Sequence, residues 1–480
     1  MRRSSSTWSC STSSKLDLVI DHLNAQGDGV ARHARQVITV PFTIPGERVR
    51  VDVHTARDGS RVGTVEEILT PSPHRIEPRC PHFGAPRADP KAGPYPHGGC
   101  GGCSWQHITY AEQLRLKSQA VTRLVREALP RAPEARATIA GTPAESPWGY
   151  RQKVHFVFGS DRGSHLIMGH YARGTRRVIP VTTCPVHDER GNALAFHLRH
   201  TLRASGIEAG HEPAVKGLAV RAGTNTTELM ATLVLSGDAD RRLRAATRRA
   251  IDERTPSSFH VNIHPRGDAY IFGRETRRIS GAERLREEVA GISFLISPTS
   301  FFQTNVRAAE ILVGLVTSAI PRPSHVLDLY AGAGLFALPL ARAGHRVVAV
   351  EENREAIADG EASSRLNKID EEHCRFVGRR VEDSLRLGAA RLAQGKPTRE
   401  DFDVVVIDPP RAGCSPSVIE GVFGKVRPPL AVYVSCNPEA LARDLREIVR
   451  LGYDIESLQP VDMFPHTAHI ETVAMLRSRR

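Results

Sequence analysis

The 480-residue chain has only eight cysteines and no apolar run near the ~18 residues that cross a bilayer. The first shortage excludes a disulfide-built scaffold. The clustering of those cysteines points instead to metal binding or catalysis in a reducing, cytoplasmic compartment. The second excludes a membrane span. Residues 1 to 14 are basic and rich in Ser and Thr but have no apolar centre, so they read as a disordered tail or a mis-assigned start, not a secretory leader. Lysine is scarce and arginine abundant. With 65 Lys and Arg against 53 Asp and Glu, the formal charge is +12, which favours a polyanionic partner, most simply nucleic acid. Part of that arginine is compositional bias, so the charge supports the reading without deciding it. A chain of this length holds about three domains.

From Lys15 to Pro73 the pattern is of short strands, at Leu16 to Ile20, Val37 to Val40, Arg48 to His54 and Arg61 to Ile68, divided by Gly-Asp-Gly, Pro-Gly-Glu and Asp-Gly-Ser. This predicts a small oligonucleotide-binding type of barrel. Next come Cys80-Pro81-His82 and Cys100-Gly101-Gly102-Cys103, with Cys184 much later. Four such thiolates suit a cubane [4Fe–4S] cluster or a tetrahedral zinc site. Residues 85 to 98 between them read as a surface loop. A helix is expected from Ala111 to Leu129, a connector over 130 to 147, and a strand region opened by the segment Ser146 to Lys153 and running to Pro180, carrying Arg173, Arg176 and Arg177 as a basic edge. Residues 187 to 290 alternate helix and strand without a recognisable site.

The stretch Val326 to Phe336 reads as a buried strand followed by a glycine turn and the start of a helix. Gly332 and Gly334 let backbone approach a ligand, and the strand ending in Glu351, 23 residues beyond Asp328, places an acid where ribose hydroxyls are gripped. Gly332, Gly334 and Ala337 fit a dinucleotide spacing, which keeps NAD open. Asp328 ahead of the glycines faces a pyrophosphate badly and suits a cofactor with a cationic amino-acid end, such as S-adenosylmethionine. Further strands are predicted near 346 to 350, 374 to 377, 403 to 407, 429 to 435, 453 to 461 and 470 to 476, alternating with helices. The unbroken apolar run at 403 to 407 suggests a central parallel strand.

Asp328, Glu351, Asp408 and Cys436 all fall at carboxyl ends of these strands, where such sheets bind ligands. The last two strands are joined by six residues, Phe464 to His469, too few for a parallel crossover, so the final strand must run antiparallel and return Glu471 to the same edge as Cys436. A cysteine and a carboxylate beside an adenosine-type cofactor fit methylation at C5 of a uracil. A thiolate adding at C6 makes C5 nucleophilic, and a base then removes the C5 proton.

The barrel segment Gly27-Asp28-Gly29-Val30-Ala31-Arg32 with Pro45-Gly46-Glu47-Arg48-Val49 resembles a TRAM domain. The glycine turn, Ser300-Phe301-Phe302-Gln303-Thr304-Asn305, Asp408-Pro409-Pro410-Arg411, Ser435-Cys436-Asn437-Pro438 and Phe464-Pro465-His466-Thr467 resemble those of S-adenosylmethionine-dependent RNA 5-methyluridine methyltransferases carrying a TRAM domain and an iron–sulfur cluster. The resemblance implies Cys436 as nucleophile and Glu471 as proton acceptor. It implies Gln303, Tyr330, Glu351 and Asp408 as cofactor contacts, beside Asp328, Gly332 and Gly334, and Cys80, Cys100, Cys103 and Cys184 as cluster ligands. The expected architecture is α/β: a TRAM-like barrel over 15–73, a central α/β domain over 74–296 and a doubly wound Rossmann-like methyltransferase domain over 297–480. The expected partner is RNA, ribosomal before transfer RNA, with no membrane, the chain acting as a monomer. Two rivals stand beside this. An NAD-dependent dehydrogenase has no use for the Asp-Pro-Pro turn or the Cys436–Glu471 pair, and a non-catalytic RNA-binding factor needs neither of the last two.

Overall fold

The computed structural model describes residues 14–56, 58–84, 98–266, 271–321, 323–393 and 402–479. The tail expected over 1–14, apart from Ser14, and the loop expected over 85–98, apart from Gly98, lie outside the described residues. The described residues fall into two compact units. One is drawn from the chain up to Gln113 with Tyr171–Ile179 and His466–Ala468, the other from Leu114–His170, Pro180–Pro465 and the stretch from His469 onward.

In the first unit, alternating Val49, Val51 and Val53 turn inward from strand Arg48–Thr55 while Arg48, Arg50 and Asp52 turn outward. That strand is one of six, in the order Ser14–Val19, Arg48–Thr55, Arg61–Thr70, Gln36–Val40, Gly29–His33, His22–Leu23. Their inner faces close over Leu18, Ile20, Ala31, Ile38 and Val40. The strands Gly29–His33 and His22–Leu23 come in addition to the four expected.

The second unit holds the C-terminal sheet. Its order is Cys374–Gly378, Arg346–Glu351, His325–Leu329, Val404–Ile407, Leu430–Ser435, Glu471–Ser478, Tyr453–Asp462, Ile139–Ala140. The first five strands are parallel, and Glu471–Ser478 runs antiparallel to both its neighbours, as the short link before it requires. Burial on both faces is visible within one strand: Val404 and Val406 join the core under helix Val306–Ala319, and Val405 and Ile407 join the core under helix Pro438–Arg450. One expectation is corrected. Within the connector over 130–147, Ile139–Ala140 forms an eighth strand, parallel to Val461–Asp462. Two residues are too few to show a two-residue periodicity, and only backbone pairing with a long-range partner makes them a strand.

A second, mixed sheet in the same unit includes, in order, Leu166–Tyr171, Lys153–Ser160, Val215–Ala222, Leu229–Leu235, Ser258–Ile263 and Glu275–Gly281. Helices Glu189–Ala204 and Arg241–Glu253 cover it through Leu194, Leu198, Leu243 and Ala246.

Candidate active site

The parallel order sets Glu351, Asp328, Asp408 and Cys436 at the carboxyl ends of four adjacent strands. Between the first two strands the turn is tight. Tyr330, Gly332 and Gly334 have φ of 63°, 55° and 87°. A left-handed Tyr330 is strained where Gly332 is not. A Cβ on Gly332 would meet nothing within 4 Å, so the turn leaves open space on that side, a cradle for a ligand. The helix after the turn differs from expectation: it begins only at Ala337 and ends at Arg342, without a side-chain cap. The Gly332 amide is not idle, because it donates to Glu351 Oε2 at 3.0 Å. Glu351 Oε1 takes the amides of Glu352 and Asn353 at 2.9 and 2.8 Å, which fixes the carboxylate at its strand end.

Asp328 is 1% exposed, and among the described residues no side chain bonds to its carboxylate, which the Ala337 amide faces. Burial, with the charges of Asp408 and Glu351, holds its pKa well above the usual carboxylate range. A buried acid left in this state fits a missing cationic partner better than a missing pyrophosphate. Half-buried Tyr330 has its phenol pushed up chiefly by burial. Gln303 is buried and lies apart from the strand ends in sequence. Its carbonyl accepts Gln152 Nε2 at 2.7 Å, while the Gln152 amide donates to the Thr304 carbonyl at 2.8 Å.

Cys436 and Glu471 lie at the end of one strand ladder. Ser435 and Thr472 form the last rung of the antiparallel ladder, Cys436 and Glu471 flank that rung in sequence, and the Glu471 charge acts on the thiol. Asn437 then caps helix Pro438–Arg450, and its Nδ2 donates to the Arg411 carbonyl at 2.9 Å, tying the Asp-Pro-Pro-Arg turn to the cysteine. The Arg411 guanidinium reaches His469 Nδ1 at 3.3 Å. Three ionisable groups, Glu471, Asp408 and Arg411, therefore act on one thiol. Burial, then Glu471 and Asp408, push Cys436 up to about 11, with Arg411 opposing. Burial raises Asp408 to about 7. Burial and then Asp408 raise the buried Glu471 well above its ordinary value, again against Arg411. Two carboxyls crowded together cannot both ionise freely, and both are held toward the protonated form. Such a group can take up or release a proton beside a half-exposed sulfur.

Of the cysteines outside this site, Cys414 is 5% exposed and pushed up to about 12, chiefly by burial. The first unit brings the segments of Cys80 and Cys100 together: the Cys100 amide donates to the His82 carbonyl at 2.7 Å and the Gly102 amide to Cys100 Sγ at 3.4 Å. Burial raises Cys80, and amides of His82 and Phe83 work against it. Among the described residues, however, no three His, Cys, Asp or Glu side chains are placed to share a metal ion.

Sequence reasoning quoted Arg411 within its motif without giving it a role. The signal was available, since it is the cation in the motifs that carry the acids and the thiol. Asn437 was legible as a helix cap before Pro438. His469 was not, because its contact with Arg411 spans 58 residues.

Known proteins match this arrangement along almost the whole chain. A family model described as tRNA (uracil-5-)-methyltransferase matches residues 109–479, and one described as the TRAM domain of tRNA (uracil(54)-C(5))-methyltransferase matches residues 16–74. An uncharacterized RNA methyltransferase of Thermosynechococcus vestitus is 36% identical over 96% of this chain and 97% of its own. Another, of Gloeobacter violaceus, is 36% identical over 95% of each chain. The crystal structure of Pyrococcus abyssi tRNA (uracil-54, C5)-methyltransferase in complex with S-adenosyl-L-homocysteine superimposes with a TM-score of 0.75 at 25% identity, covering 96% of this chain and 100% of that one. With its TRAM domain ahead of an α/β catalytic sheet, this chain belongs to the tRNA (uracil-5-)-methyltransferase family.

Proposed function

We propose that this enzyme transfers a methyl group from S-adenosylmethionine to C5 of a uridine in structured RNA, with Cys436 as nucleophile and Glu471 as base. The observation that carries the reading is a half-exposed thiol and a buried carboxyl flanking the last rung of one ladder, beside Asp408 and Arg411. Asp328, Tyr330, Gly332, Gly334, Glu351, Asp408 and Gln303 are the residues we assign to the cofactor, supported by the open cradle at Gly332 and the buried Asp328, to which no described side chain bonds. When bound, the cofactor supplies an electrophilic methyl group. Cys436 Sγ, once deprotonated, bonds to C6 of the uracil and moves an electron pair to C5. After C5 is alkylated, Glu471 takes the C5 proton, and the electrons left behind expel the sulfur from C6. A carboxyl with a raised pKa is a stronger base than a free glutamate, which suits it to a carbon acid.

The crystallised Pyrococcus relative acts on uracil 54 of transfer RNA. That makes a transfer RNA transcript the first substrate to try, against the ribosomal RNA favoured from sequence. The division into 15–73, 74–296 and 297–480 accompanies this reading, as does a [4Fe–4S] cluster or zinc on Cys80, Cys100, Cys103 and Cys184. The grouping of the four cysteines in the sequence and the family resemblance support that centre.

The test is methyl transfer from labelled S-adenosylmethionine to both unmodified RNAs. Cys436→Ala should keep RNA and cofactor binding, transfer nothing and form no denaturation-resistant RNA–protein species. Glu471→Gln should accumulate that species, because the adduct forms and cannot resolve. An RNA carrying 5-fluorouridine should trap the wild type in the same way. Trapping by Cys436→Ala would hand the chemistry to another thiol such as Cys414. Binding without any transfer by the wild type would favour the non-catalytic RNA-binding reading.

A further inference from the structure

In the mixed sheet, Lys153 and Arg221 are direct antiparallel partners. Like charges opposite each other on neighbouring strands repel, and burial magnifies the cost. Both side chains turn to one acceptor, the Ser300 carbonyl, Arg221 Nη2 at 3.0 Å and Lys153 Nζ at 3.4 Å. Arg221 is 2% exposed, and its Nε and Nη1 are buried without a hydrogen-bond partner. The acids that feel these cations are occupied elsewhere. Glu287 holds the amides of Thr224, Asn225 and Glu288, at 2.6, 2.9 and 2.9 Å. Asp359 holds Arg284 and Ser297, and Glu355 is bonded to the Thr299 hydroxyl. The excess positive field is felt two residues along the strand. There His155 is driven down to about 3 by burial, and then by Lys153, Arg221 and Arg151. Burial, then Arg221, pushes the Lys153 ammonium well below the usual lysine range, with only Glu355 opposing.

A fold gains nothing from two buried cations sharing one neutral carbonyl, and an anion between them would settle the charge of both. Arg221 lies buried behind Lys153, and Lys153 is the member of the pair nearer the surface. Lys153 keeps part of its surface, with the Phe272 ring 5.3 Å from its Nζ, and Phe301, next to the shared carbonyl, is 74% exposed. Lys153 stands on the mixed sheet beside Gln152, which donates to the carbonyl of Gln303, one of the residues assigned to the cofactor. We propose that Lys153, backed by Arg221, seats one backbone phosphate of the RNA substrate. This rests on the methyltransferase reading above and adds a docking point for the RNA on the mixed sheet.

The test measures affinity for the unmodified transfer RNA transcript (or the ribosomal transcript, if only that one accepts methyl groups) across a series of KCl concentrations, for wild type, Lys153→Met and Lys153→Arg. Losing one phosphate contact should lower the slope of log affinity against log salt by about 0.7–0.9 and weaken binding by roughly tenfold. Lys153→Arg should keep the slope. Affinity for S-adenosylhomocysteine should not change. The ligand-free melting temperature should stay or rise in Lys153→Met, since a repulsion is removed, whereas a merely structural lysine would lower it. An unchanged salt slope in Lys153→Met overturns the proposal, whatever happens to its melting temperature. A loss of S-adenosylhomocysteine binding with RNA binding intact also overturns it and assigns the pair to the cofactor. If the wild type itself binds no RNA, the functional reading falls and takes this one with it.

Discussion

At the scale of single residues, the decisive quantity is the protonation of Cys436. It precedes the N-cap of a 13-residue helix, a position that favours a thiolate. Burial and two neighbouring carboxyls outweigh that and leave it up at about 11, with Arg411 too weak to compensate. In the ligand-free enzyme the sulfur is therefore protonated at neutral pH. Alkylation of Cys436 by iodoacetamide, followed by peptide mass spectrometry, should accelerate about tenfold per pH unit from 7 to 10, since only the thiolate reacts. A plateau already at pH 8 would mean that Arg411 and the helix dominate. The same balance gives Glu471 its strength as a base. Residue types alone could nominate Cys436 and Glu471 as partners, but not these protonation states, which come from desolvation by residues distant in the chain.

At the scale of elements, the strand pair Tyr453–Asp462 and Glu471–Ser478 carries the base, and one buried ion pair anchors its turn. Lys117 in helix Tyr110–Ala128, 1% exposed, donates to Asp462 Oδ1 at 2.5 Å and to the Phe464 carbonyl at 3.1 Å. Asp462 follows Val461, the cross-strand partner of Glu471. Asn305 Nδ2 and the Tyr150 hydroxyl hold the next carbonyls, of Met463 and Pro465, at 3.1 and 3.0 Å. Lys117→Met leaves the Asp462 carboxylate buried without its cation and should cost about 3–5 kcal/mol in denaturant unfolding. Adding Asp462→Asn should recover much of that, because the stranded charge is gone. No recovery would show that the lysine contributes packing and not charge. The seven long strands of this sheet were legible in sequence, as was the antiparallel final one, because apolar runs and a six-residue link are local facts. Ile139–Ala140 was not, since nothing in two residues announces an edge strand.

For the whole molecule, the question is which ligand the C-terminal sheet selects. The buried Asp328, without a side-chain cation among the described residues, and the open cradle at Gly332 fit a cationic amino-acid end, so S-adenosylhomocysteine should raise the melting temperature and NAD should not. At a hundredfold excess over Kd the linkage amounts to about 2.7 kcal/mol. Glu351→Ala should reduce the shift, weakening affinity about tenfold by losing charge-assisted bonds to ribose. A shift with NAD alone would return the sheet to dinucleotide chemistry.

The sequence by itself determined the strand ends, the acids and the thiol that mark them, and the reversal that returns Glu471 to the cysteine's edge. These follow from periodicity, turn residues and link length, all of which act within a few neighbours. Only the tertiary structure decided that Cys436 and Glu471 lie beside the Ser435–Thr472 rung, that burial, with Asp408 and Arg411, sets their proton affinities, that Lys117 finds Asp462 345 residues away, and that Lys153 and Arg221 oppose each other with no anion bonded to them among the described residues. Register and desolvation are properties of packed, distant segments, and a one-dimensional pattern carries neither.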